Sequence, residues 1–186
     1  MMDAIAQLWL PVLLAAIGVF VASSLIHMLL KWHNSGYRKL ENEDAVRAAI
    51  NAGTYSPGLY VLPYCADMKD MQGEAMQAKL REGPVAFLTV RPSGPVSMGK
   101  PLLQWFLLNI VVAAVGGMLA WQYVGPGGNG HAAGHLVGVL ALGVYALGGF
   151  QEGIWMGRRW SSVLLHALDG VIYAIIVALV FMWLWP

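Results

Sequence analysis

Cysteine is all but missing. Cys65 stands alone among 186 residues, which excludes a disulfide framework within the chain and any metal site built from several thiolates. Charge is scarce too: Asp, Glu, Lys and Arg make up 11% of the chain against 58% hydrophobic residues, and the mean hydropathy is +0.61. That departs strongly from the makeup of a soluble domain. The 11 basic and 10 acidic residues nearly cancel, so nothing argues for nucleic acid as a partner. The most polar stretch, residues 34–100, contains no phosphate-binding glycine loop, no nucleophile elbow and no zinc-type Cys/His spacing. Catalysis by that stretch alone is not expected.

What is abundant is apolar sequence. Four runs, at residues 6–30, 101–124, 132–156 and 160–185, reach the length of about 20 residues that a helix needs to cross a hydrocarbon layer. The expected fold is an all-α membrane protein with four transmembrane helices and a small α+β cytoplasmic insert between helices 1 and 2. Its parts are residues 1–33 (helix 1, with the N-terminus outside), the insert 34–100, and helices 2–4 in residues 101–186. The first run reads as a retained span, since no Lys or Arg precedes it and its apolar character continues past Ala22–Ser24.

Orientation follows from where basic residues are absent. Neither "MMDAIAQ" nor the loop "GPGGNGHAAGH" holds a Lys or Arg; every basic residue falls between runs 1 and 2 or between runs 3 and 4. The positive-inside bias places the basic regions in the cytoplasm and both termini outside.

Within the insert, "NEDAVRAAINAG" predicts a short helix with Asn42 as its cap and Gly53 at its end. "PGLYVLPY" and "GPVAFLTVRP" predict strands on either side of a second helix in "DMKDMQGEAMQAKLREG". Met68, Met71 and Met76 on that helix are expected to fill a core rather than bind a soft metal. The tryptophans Trp9, Trp121, Trp155, Trp160, Trp183 and Trp185 fall near span ends, as interfacial anchors do.

The blocks "KWHNSGYRKLENEDAVRAAI", "GPVAFLTVRPSGP" with "GKPLLQWF", and "HALDGVIYA" with the terminal "WLWP" resemble a group of uncharacterised bacterial four-helix inner-membrane proteins of similar length. The resemblance implies a bacterial inner membrane and four helices. It brings no activity and no catalytic residues.

Polar side chains inside the apolar runs are the candidate site. With about 1.5 Å rise per residue, Glu152 and His166 lie at one level, Asp169 and Asn109 deeper, and His27 nearer the basic end. Ser162, His166, Asp169 and Tyr173 recur at spacings of four, three and four, one stripe on span 4. His135, Gly138, Leu142, Tyr145, Gly149 and Glu152 recur likewise on span 3, where Gly149, Gly153 and Gly157 offer a small-residue contact. Ser23 and Gln104 are expected to complete the lining. Charge facing lipid is costly, so His27, Asn109, Glu152, His166 and Asp169 are expected to form an inward polar cluster.

Three chemistries fit it. Interhelical glue would have Asp169 and His166 bonded to Asn109, Ser24 or backbone. A proton- or cation-handling site would exploit the coupled titrations of buried carboxylates and imidazoles. A cofactor site would use His27 and His166 as axial ligands of haem b, or a His/Glu/Asp set for a divalent metal. His131 and His135, four apart with Asn129 nearby, are a weaker metal pair lacking a third ligand. The leading expectation is a non-enzymatic scaffold or accessory subunit whose partners are the lipid bilayer and other membrane proteins or further copies of itself. The alternative is a proton/cation-handling or haem/metal-binding membrane protein using His27, Glu152, His166 and Asp169.

Overall fold

The computed structural model describes residues 2–186. Four helices in it are long and apolar enough to cross a membrane: Asp3–Leu30, Gly99–Val124, Gly130–Trp155 and Trp160–Trp183. The chain divides into two compact units. One comprises residues up to Arg38 together with Ser97–Pro186, and the other is Lys39–Val96.

In the helical unit, α1 (Met2–Leu25) runs into a widened π-turn, Ile26–Leu30, and then a 3-10 turn, Trp32–Gly36. In the smaller unit, α2 (Glu43–Asn51), β1 (Gly58–Leu62), α3 (Glu74–Glu82) and β2 (Ala86–Val90) follow in order. The helical unit resumes with α4 (Gly99–Val124) and α5 (Gly130–Leu142). A second π-turn, Gly143–Leu147, follows, then α6 (Phe150–Trp155) and α7 (Trp160–Trp183).

The bundle closes as a ring. α1 packs on α4 and α7, and α5 packs on the same two helices. Small side chains make this possible: Ala15, Ala16, Ala113, Ala120, Ala133 and Ala141 are fully buried where helices meet. At Gly134 an added Cβ would lie 2.6 Å from the Ala178 carbonyl oxygen on α7. Such backbone approach supplies dispersion contacts that hold the pair.

The glycines expected to perform this role are not the ones that do. Gly149 and Gly157 have nothing within 4 Å of an added Cβ, and only Gly153 of that set touches α7 residues, Val163 and Trp160. The reason is the π-turn at Gly143–Leu147, which shifts the helical phase, so the face read from Gly138 and Tyr145 does not continue to Glu152. Trp9, Trp155, Trp160 and Trp183 are exposed at helix ends, whereas Trp121 and Trp185 face each other with centroids 6.4 Å apart.

The smaller unit has the expected helices and strands, with β1 and β2 antiparallel and Tyr60 opposite Leu88. Asn42 makes no side-chain cap bond. Met68 is exposed rather than core, and Met71 and Met76 are only half-buried. No residue between Lys39 and Val96 is fully buried, while Leu59, Val61 and Phe87 stand exposed on one face of the hairpin. A two-stranded hairpin without a core is marginal in water. A fragment of residues 39–96 is therefore expected to unfold without a cooperative transition; a sharp calorimetric melt would contradict this.

Candidate functional site: a histidine–aspartate cluster at the basic end of the bundle

Lys31 ends the first span in a left-handed conformation, φ 51° and ψ 8°. A residue with a Cβ adopts this seldom and at a cost of about 1–2 kcal/mol. It turns the chain sharply, and the 3-10 turn that follows brings His33 back over the end of the bundle. His33 was absent from the expected cluster, because a spacing of six from His27 shares no face of a continuous helix. The only sequence signal was a second His just beyond the span.

His33 is the centre of the arrangement. Its ring stacks on His27 with centroids 4.7 Å apart and on His166 at 4.3 Å. Its Nε2–H donates to Asp169 Oδ2 at 2.7 Å. The π-turn holds His27, whose Nδ1–H donates to the Ser23 carbonyl at 2.9 Å, leaving Nε2 with a free lone pair. Donor atoms of His27, His33, His166 and Asp169 all lie within 4.8 Å of one another. On α7 the stripe faces inward: Ser162, Asp169 and Tyr173 are buried and His166 is half-buried.

Asp169 is 2% exposed, and its second oxygen, Oδ1, is buried with no hydrogen-bond partner. Such an oxygen in a low-dielectric interior carries an uncompensated desolvation cost.

Two expected members lie elsewhere. Asn109, 1% exposed, accepts a 2.8 Å hydrogen bond from the Tyr145 hydroxyl and does not reach Asp169. Glu152 has a half-exposed side chain and pairs with Arg158. It connects to the cluster only through that guanidinium, which donates to His166 Nε2 at 2.6 Å. Ser24 bonds to the Phe20 carbonyl, and the expected lining residue Gln104 is exposed; Trp105 faces inward beside it and donates to Ser23 Oγ at 2.9 Å. At the other end of the bundle His131 and His135 are both exposed, and Asn129 is occupied in capping α5 through bonds from the His131 and Ala132 amides.

Family models, curated proteins and solved structures give no match to this chain.

The donor set decides between the cofactors considered. Haem held between His27 and His166 would need the space in which His33 stacks against both rings, so the residues do not fit a macrocycle there. Three imidazoles and a carboxylate are a good set for a divalent first-row cation, zinc above all. Bonds of about 2.0–2.2 Å to a tetrahedral ion place its donors about 3.3–3.6 Å apart. The present spread reaches 4.8 Å, so closing on an ion would require the stacked rings to fan open.

Proposed function

We infer that this is a multi-pass membrane protein that binds a divalent transition-metal cation through His27, His33, His166 and Asp169. The observation that carries this reading is the orphaned Asp169 oxygen among three imidazoles. Other buried polar atoms also lack a partner, namely Trp32 Nε1, Asn109 Nδ2 and the Tyr173 hydroxyl, but this one belongs to a carboxylate and lies beside three imidazoles, where a cation would compensate it. The Ser23 carbonyl supports the same reading, since an outer hydrogen bond of this kind sets the tautomer and orientation of a ligating His.

The compartment proposed is a bacterial inner membrane, with both termini outside. The support is the apolar length of four helices and the clustering of Lys31, Lys100, Arg158 and Arg159 at the ends of those helices that the loop 125–129 does not join. The cluster then lies at the cytoplasmic end. A partner-binding role is the second reading, and the exposed Leu59, Val61 and Phe87 face favours it.

The test is elemental analysis of the full-length protein purified in a non-ionic detergent without chelators. About one equivalent of zinc or another first-row metal is expected, with Co2+ replacing it to give visible d–d bands of tetrahedral intensity. A metal-free protein that also fails to develop a Co2+ spectrum would remove the reading.

A further inference from the structure

A cavity of about 220 Å³ opens beside the cluster, lined by His33, Gly36, Tyr37, Arg158, Arg159, Ser162 and His166. Its charge is one-sided. Arg158 is balanced by Glu152, but Arg159 has no carboxylate within 4 Å among the described residues. Ser162 is 8% exposed, lines the same cavity, and its hydroxyl makes no hydrogen bond among the described residues. Gly36 packs closely on one side of it: a Cβ there would lie 2.7 Å from Ser162 Oγ. The cavity also sits at the start of α7, where a 24-residue helix presents the positive end of its dipole. Two guanidiniums, a hydroxyl and a helix start suit a tetrahedral oxyanion, and arginine's fork matches phosphate oxygens in pairs.

Arg158 ties this cavity to the cation cluster. A guanidinium only donates, so His166 Nε2 is the acceptor of their 2.6 Å bond and its lone pair is engaged. A cation that uses that lone pair must first lose Arg158 from it. An oxyanion in the cavity gives Arg158 another acceptor.

We propose that this cavity binds a phosphate group through Arg158, Arg159 and Ser162, and that filling it draws Arg158 off His166 and strengthens cation binding at the histidine–aspartate cluster. The inference rests on the metal-binding reading for its second half and on the cavity alone for its first. Coupling is reciprocal, so the cation strengthens phosphate binding by the same factor. Glu152 is the competitor, because it holds Arg158 and repels an incoming anion.

The experiment uses the full-length protein in phosphate-free non-ionic detergent and titrates Co2+ in a nitrilotriacetate buffer, which holds the free ion constant when phosphate is added. Inorganic phosphate at 10 mM is expected to raise Co2+ affinity by about tenfold, within the usual range of coupling. Arg159→Gln is expected to reduce that enhancement to less than about twofold, and Glu152→Gln to enlarge it. Parallel titrations in vesicles of phosphatidylcholine alone or with phosphatidic acid separate the two sources of phosphate: enhancement only with phosphatidic acid assigns a lipid headgroup, and enhancement by the free ion alone assigns a soluble one. Co2+ affinity indifferent to both overturns the phosphate site and leaves the metal reading standing. If Co2+ does not bind at all, the metal reading falls, and equilibrium dialysis with labelled phosphate judges the cavity. Phosphate binding that Arg159→Gln weakens at least fivefold then supports the site, and binding that is absent or unmoved by that change overturns it.

Discussion

Asp169→Asn is expected to leave the metal-free protein at least as heat-stable as the wild type and to remove its stabilisation by cation. The two halves have different causes. Without metal, the amide oxygen of Asn still accepts from His33 Nε2–H, while the buried carboxylate with its unpartnered oxygen is gone. Replacing a buried charge by a neutral group of the same shape is often neutral or stabilising. With metal, the site loses its only anionic donor. Loss of an outer-shell partner already costs about 10- to 100-fold in metal affinity, and loss of this donor is expected to exceed that.

At a free Co2+ concentration of 100 times the wild-type Kd, binding stabilises the wild type by about 2.7 kcal/mol. A variant whose Kd has risen 100-fold or more gains at most about 0.4 kcal/mol under the same conditions. Thermal unfolding with and without Co2+ reads both quantities, with His131→Ala as the control that keeps the wild-type response. An Asp169→Asn protein that keeps the full metal shift would remove Asp169 from the ligand set. One that melts far below the wild type without metal would make it a strut.

Gly170→Ala is expected to be the most damaging single methyl in the bundle. An added Cβ would lie 2.5 Å from the Ala146 amide nitrogen, 2.5 Å from the Tyr145 carbonyl carbon and 2.6 Å from Ala146 Cα. All three are backbone atoms, so no side chain can swing away and α7 must move off the π-turn of span 3. Overpacking of this kind costs about 3 kcal/mol at the upper end of its usual range. The displacement also carries Asp169, the preceding residue, away from His33. Gly149→Ala is the matched control: nothing lies within 4 Å of its added Cβ, and a wild-type melting temperature is expected. Equal melting temperatures for the two variants, measured in one detergent, would show that α7 does not approach the turn so closely.

The sequence made some of this legible and hid the rest for identifiable reasons. Long apolar runs located the four helices to within a few residues, because hydropathy over 20 residues averages out local accidents. The spacing of Ser162, His166, Asp169 and Tyr173 likewise marked one face of α7, since that helix runs unbroken from Trp160 to Trp183. Periodicity failed wherever the helix was not α. The π-turn at Gly143–Leu147 turned Glu152 outward from the face assigned to it, and the left-handed Lys31 brought in His33, which no helical wheel connects to His27. Arg158 carries no spacing signal beyond its place in the basic loop between runs 3 and 4, yet it is the side chain that joins Glu152 to His166.

The π-turn at Ile26–Leu30 gives the cluster an unusual dependence on chain length. Its bonds skip five residues where an α-helix skips four, so the path from Leu25 to Lys31 holds a residue of slack that a regular helix would not. Removing one of Met28, Leu29 or Leu30, all of them exposed and apolar, would let the segment close into ordinary α-helix. The loss takes up the slack, so the chain beyond it keeps nearly its phase and His33 its place, whereas a second deletion would turn that chain by about 100° and draw it back by about 1.5 Å. The grouping of imidazoles thus tolerates one lost residue but not two, in a stretch whose side chains take no part in the chemistry.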